Sequence, residues 1–131
     1  MPATTAVVKT GRAIITSRLK GLGTEPLFVA MGTSTTAVSL DDTQTTWAAT
    51  QVESRTTGTS SQTTTSSSND TYQVTGTVVA TASRTIGEAA LLDAATSGNL
   101  FVRGQLASTI SLASGDSIAF TFTVQVTSSV V

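Results

Sequence analysis

Between Ser117 and Val126 the chain alternates without a break. Ile118, Phe120, Phe122, Val124 and Val126 are apolar, and the residues between them, Ala119, Thr121, Thr123 and Gln125, are small or polar. Side chains on an extended strand point to opposite faces in turn, so this period of two predicts a β-strand with one apolar face and one wet or lightly packed face. The run closes a longer block. From Thr85 the chain reads Thr-Ile-Gly-Glu-Ala-Ala-Leu-Leu-Asp, passes a Ser97-Gly98-Asn99 turn, continues Leu-Phe-Val-Arg-Gly-Gln-Leu, and reaches a Ser114-Gly115-Asp116 turn. Turn residues between strand-like runs predict three strands here, plus a short segment at Ile110–Leu112.

The strand signal recurs upstream. From Thr71 to Ala82 the residues Tyr72, Val74, Gly76, Val78, Ala80 and Ala82 fall on one face, and Gln73, Thr75, Thr77 and Thr81 on the other. Gly76 marks a bulge or a close crossing. Leu27 to Met31 is apolar on both sides, as a doubly covered central strand would be. Arg55 to Asn69 is almost entirely Thr, Ser, Gln and Gly. Its composition fits disorder, its β propensity a strand polar on both faces. We favour the strand, paired as a hairpin with the next through an Asn69-Asp70 turn. The total is six to eight short strands, which predicts an all-β fold: a β-sandwich or jelly-roll-like domain over residues 27–127. Ile118, Phe120, Phe122, Val124, Tyr72, Val74, Val78, Leu100, Val102, Leu27 and Val29 are its expected core.

One helix is expected, from Thr10 to Lys20. Val8, Ile15, Leu19 and Leu22 follow a helical spacing, and Ile14 widens the stripe. Thr10 is placed to cap the start, Arg18 and Lys20 suit the negative end of the dipole, and Gly21 can take the left-handed stop. Before it, residues 1–8 read as a loose Thr/Ala arm. After it, Gly21-Leu-Gly-Thr-Glu-Pro lacks the Gly-Lys-Ser/Thr of a phosphate loop. Gly32 to Glu53 is expected to be a long excursion with little regular structure, carrying Val38, Leu40 and Trp47. A lone Trp in such a stretch either covers one end of the core or anchors a contact with a partner.

Composition bounds the function. A chain of 131 residues suits one domain, here 1–131, and is large enough to fold without metal or disulfide. With no His, a Ser-His-Asp triad is impossible, and a Ser–Lys pair would have to draw on Lys9 or Lys20 in the helix region. The eight carboxylates lie mostly in turns, and aromatics make up only 5%, too few for a sugar-stacking platform. Asp41-Asp42, Asp70 and Asp116 form no spaced series of calcium ligands. The expectation is therefore no enzyme activity, no cofactor and no metal. Asn69-Asp70-Thr71 matches a glycosylation sequon, relevant only in a eukaryotic secretory setting. Seven basic and eight acidic residues nearly cancel, so no basic stripe invites nucleic acid. No apolar run approaches the ~20 residues that span a membrane, and the N-terminus has no signal-peptide pattern. Glu88 and Arg103 stand out, each in an apolar or small-residue strand, placed to pair across strands.

Ser and Thr together number 45, while charged residues make up only 11% of the chain. Such a surface is hydrated but weakly charged, unusual for a free monomer. It fits an extracellular or viral β protein, or a subunit packed beside copies of itself as a dimer or trimer.

Several segments resemble a family of small structural proteins of tailed bacteriophages. They are Ile15-Thr-Ser-Arg-Leu-Lys-Gly-Leu-Gly-Thr-Glu-Pro, the Met31-Gly-Thr-Ser-Thr-Thr loop, Arg55-Thr-Thr-Gly-Thr-Ser-Ser, Asn69-Asp-Thr-Tyr-Gln-Val-Thr-Gly-Thr, and Glu88 to Gly104. The last, with Leu92-Asp-Ala-Ala-Thr-Ser-Gly-Asn-Leu-Phe-Val-Arg-Gly, is the most specific. Met31 stands where an aromatic residue would be expected. The resemblance implies a virion protein made in the bacterial host cytoplasm. Its leading form is a capsid cement or decoration protein on the capsid surface, bound to the major capsid protein and to copies of itself. A tail, neck or fibre-base component is the alternative, and a carbohydrate-binding module for host attachment is an alternative of another class. For assembly, the expected contacts are the arm, with Val7 and Val8, and the excursion, with Val38, Leu40 and Trp47.

Overall fold

The computed structural model describes residues 4–130. In chain order the elements are β1 (Thr4–Val7), α1 (Lys9–Leu19), β2 (Phe28–Gly32), α2 (Gln44–Ala48), β3 (Gln51–Thr57), β4 (Thr59–Thr63), β5 (Thr71–Val79), β6 (Arg84–Leu92), β7 (Leu100–Leu112) and β8 (Ser117–Gln125). The fold is all-β, a sandwich of two antiparallel sheets. The large sheet has the order β1-β7-β6-β2-β3 and the small one β4-β5-β8. β3 and β4 are joined through Gly58 alone, so the chain turns from one sheet into the other at that corner.

The alternating pattern works as expected in the small sheet. Val74 faces inward opposite Phe122, and Val78 opposite Ile118. Between the sheets lie Val29, Met31, Val74, Val78, Ile86, Leu91, Val102, Phe120 and Phe122, all buried. Gly76 is the close crossing: a Cβ there would meet Val29 Cγ2 at 2.8 Å. β2 is covered on both sides, as its apolar run predicted. Val29 and Met31 face the small sheet, and Ala30 joins a second cluster with Val8, Trp47, Ala90, Leu92 and Leu100 on the opposite face. Four expected core residues, Leu27, Tyr72, Ile118 and Val124, are only partly buried, packed against the core's margin. Val126 follows the end of β8 and is exposed.

The N-terminal expectations need correction. Residues 1–3 of the expected loose arm lie outside the described residues. The rest is β1, paired with β7 from Thr4↔Gln105 to Val7↔Val102. It is held because Val8, fully buried, plugs the second apolar cluster. The helix forms, but its apolar face is not the expected stripe. Gly11 and Ile14 are buried, whereas Leu19 and Leu22 point outward. The docking of α1 on β7 decides the face, and Thr10, inside the helix rather than capping it, donates its hydroxyl to the Leu100 carbonyl at 2.7 Å. Gly21 does take the left-handed stop, with φ +81°.

Three other segments differ from expectation. The strand expected over residues 55–69 is divided at Gly58 between the end of β3 and β4, which lie in different sheets, and it ends at Thr63. Ile110–Leu112 is the end of one thirteen-residue strand, β7, rather than a separate piece. Between β4 and β5 the turn is a wider loop built on the Asp70 carboxylate. Its oxygens accept from the backbone N–H groups of Thr65, Ser66 and Ser67 at 2.8–3.0 Å.

Candidate interaction surfaces

The excursion after β2 is a fixed cover rather than a free arm. Glu88 and Arg103 lie on the face of the large sheet that points away from the small one. They pair as their placement suggested, with Arg103 Nε 2.8 Å from Glu88 Oε2. Arg103 also reaches Asp42 Oδ2 at 3.0 Å and donates to the carbonyls of Thr36 at 2.8 Å and Ala37 at 3.2 Å. Glu88 Oε1 accepts from the Ser34 N–H at 3.3 Å and from the Thr50 hydroxyl. Gly32 is required beneath this group, because a Cβ would collide with the Glu88 carboxylate. Both ion-pair side chains are buried, at 6% and 1% exposure. Burial alone would lower the Arg103 pKa, but the hydrogen bonds and charges of Glu88 and Asp42 outweigh it and hold the guanidinium above its ordinary range.

This anchoring determines where the expected contact residues stand. Residues 44–48 form α2, whose start carries a capping box between Thr43 and Thr46. The helix presses Trp47 into the second apolar cluster at 1% exposure, and the indole N–H donates to Gln51 Oε1 at 2.8 Å. Trp47 therefore closes one end of the core, and like Val8 it offers no surface to a partner. Val7 is half-buried against the core and Val38 is half-buried. Leu40 is exposed, at 44%. The sequence signal for Trp47 was ambiguous because a lone Trp serves either use.

Other charges are also tied inward. Glu53 sits in a left-handed backbone conformation, φ +66°, beside the register shift between β2 and β3. Its carboxylate accepts from Arg84 Nε at 2.8 Å and from the Thr81 N–H and hydroxyl at 3.0 and 2.8 Å. The Arg84 bond first, then those from Thr81, hold its pKa down at about 2. Arg55 holds the turn between β6 and β7 through the carbonyls of Ala94 and Ser97, both at 2.8 Å.

The small sheet is the opposite case. β4, β5 and β8 contain no charged residue. Their outer face is a grid of small polar groups in register, with Thr59 beside Thr75 and Thr75 beside Thr121. On one side the sandwich is closed by the β3–β4 corner. On the other, between the edges β1 and β8, a cleft remains open, lined by Val7, Val102, Leu106, Phe120, Phe122 and Val124 among others. A second apolar cleft lies beside α1, where Leu19 and Val126 flank Ile14, Ile15, Tyr72 and Phe101. Sequence reasoning set Leu19 on the helix's apolar stripe and Val126 on the apolar face of its strand, and periodicity cannot tell a buried stripe from an uncovered one.

The β-sandwich holds Glu53, Glu88 and Arg103 in internal ion pairs and leaves the outer face of the small sheet uncharged, and no cluster of metal-ligating side chains occurs among the described residues. The sequence comparison supplies the family. The chain belongs to the family described as Podophage GP4 fiber I protein gp80, whose model matches residues 21–127. That span includes both layers of the sandwich but not β1 or α1. No curated protein and no solved structure matches the chain. The protein is thus a phage virion structural protein of a fibre-associated family.

Proposed function

We propose that this protein is a non-enzymatic structural component of a podophage tail, at the fibre or fibre base, where it contributes protein–protein contacts and performs no reaction. The family match over residues 21–127 carries this reading. Its description speaks of a fiber, which favours the tail, neck or fibre-base alternative over the capsid cement role that led the expectations from sequence. Contact with the major capsid protein belongs to the cement role and has no separate support. The low-charge surface and the internal use of Glu53, Glu88 and Arg103 are consistent with a part that works by packing against other virion proteins, copies of itself among them. The carbohydrate-binding alternative is weakened by the loss of an aromatic platform. Trp47 is buried, and the Tyr72 hydroxyl is engaged by the Pro26 carbonyl at 3.0 Å and by Glu25 at 3.1 Å.

The test is the position and copy number of the protein in a virion reconstruction. The expected result is density at the tail, in a ring or bundle of few copies. Hundreds of copies spread over the shell would restore the capsid cement role instead.

A further inference from the structure

A sheet edge presents unpaired backbone groups, and proteins guard such edges with short strands, charges, bulges, proline or a covering segment. Three of the four edges here carry such a device. β1 has four residues, β4 has five, and β3 carries Glu53 in a left-handed conformation beside a register shift, with Arg55 two residues on. β8 has none. It is nine residues long, without charge or proline, and pairs with β5 in unbroken register.

Ala80 N–H donates to Asp116 O at 2.8 Å, and Val126 N–H to Asp70 O at 2.9 Å, at the two ends of the β5–β8 ladder. Antiparallel pairs exchange hydrogen bonds at every second residue, so the even-numbered residues of β8 bond to β5. The odd-numbered ones, Ser117, Ala119, Thr121, Thr123 and Gln125, direct their N–H and C=O groups outward along the free edge. All five are exposed.

We infer that β8 is a homodimerisation edge, pairing antiparallel with β8 of a second copy about a two-fold axis at Thr121. The strand is self-complementary about that residue. Ser117 would stand opposite Gln125 of the other copy, Ala119 opposite Thr123 and Thr121 opposite Thr121. On the inner face Ile118 would stand opposite Val124, and Phe120 opposite Phe122. Apolar meets apolar, polar meets polar, and no like charges are opposed. The odd-residue centre is also the one at which the outward backbone groups meet as hydrogen-bonded pairs. The two small sheets would join into one of six strands. Ile118 and Val124, only half-buried in the single chain, and the open cleft along Phe120 and Phe122 would gain cover from the partner. A second copy is favoured over an unrelated strand because this symmetry in polarity is a property of the edge itself. The inference deepens the assembly part of the proposed function, but its test is independent of where the protein sits in the virion.

The chain has no cysteine, so single-cysteine variants report one position each. At a hydrogen-bonded antiparallel pair the Cα atoms are about 5.5 Å apart, within the range a disulfide spans. Under mild oxidation Thr121→Cys is expected to give a cross-linked dimer. Thr75→Cys, exposed on the same sheet face but on the central strand, is expected to stay at 13.3 kDa. Sedimentation of the unmodified chain over the micromolar range should show a monomer–dimer equilibrium. Thr121→Lys, which sets two ammonium groups face to face on the axis, should raise the dissociation constant at least about tenfold with the circular dichroism spectrum unchanged. A chain that sediments as a monomer throughout overturns the inference, as does cross-linking of Thr75→Cys to the same extent as Thr121→Cys. Either result leaves the fibre role standing, whereas a β8 dimer absent from the tail would remove that role and keep the dimer.

Discussion

The two sheets solve the same packing problem with different chemistry. The large sheet is covered on both faces and carries Glu53, Arg55, Arg84, Glu88 and Arg103. Each has specific hydrogen-bonded partners that fix a loop or turn. The small sheet carries no charge, is covered on one face only, and is held by the inward Val, Phe and Ile of β5 and β8. Buried charges cost desolvation and are tolerated only when every donor and acceptor is satisfied, so they favour one arrangement of the segments around them. Apolar alternation sets which face is inside but places no limit on what joins the edge. The charged sheet therefore organises the chain's own loops, while the uncharged one is left free to meet other chains.

The largest expected effect breaks the charged side. Arg103→Ala would strand the Glu88 carboxylate and the carbonyls of Thr36 and Ala37, and should destabilise the fold by about 3–5 kcal/mol in urea denaturation. A loss below about 1 kcal/mol would mean that the cluster is wetter than its burial indicates.

Phe122→Ala tests the apolar side. Phe122 lies at the core's margin beside the open cleft, so the loss should stand near the low end for an aromatic truncation, about 3 kcal/mol. If it equalled or exceeded the Arg103→Ala loss, the small sheet rather than the ionic cluster would be the stronger constraint.

Acid should separate the two sheets by degree. The Glu53 carboxyl, in the large sheet, is lowered to about 2 by Arg84 and Thr81. The backbone N–H groups of Thr65 and Ser67, beside the small sheet, hold Asp70 lower still. In both cases the unfolded chain binds the proton more readily, so the stabilisation is complete above the unfolded pKa near 4 and is lost as pH falls through the folded value. Thermal melts should therefore fall between about pH 4 and pH 2. Glu53→Gln should flatten the upper part of that fall and leave the part below it, which belongs to Asp70. An unchanged profile in Glu53→Gln would remove the Glu53–Arg84 bond from the account.

The smallest effect belongs to the outer face of the small sheet. Thr75→Lys, in the middle of the exposed grid, should change stability by no more than about 0.5 kcal/mol, because the side chain stays in water. A larger loss in the isolated chain would show that the face is already covered in solution.

How much of this was legible in the sequence follows from the range over which each signal acts. Period-two alternation reports local backbone geometry and burial of one face. It was enough to find β5 and β8, the two-sided β2 and the all-β class, and the left-handed stop at Gly21 and the turns at Gly98 and Gly115 are equally local. Even the Glu88–Arg103 pair could be anticipated, because a charge in an apolar strand needs a partner. What the sequence could not determine is which of several apolar residues a distant segment would cover. Val8 and Trp47 are buried because the residue that follows edge strand β1 and the helix α2 meet on the same face of the large sheet, and Leu19 and Val126 are exposed because nothing among the described residues rests on theirs. Those outcomes depend on stacking between segments far apart in the chain, and residue type and spacing carry no record of such distant contacts.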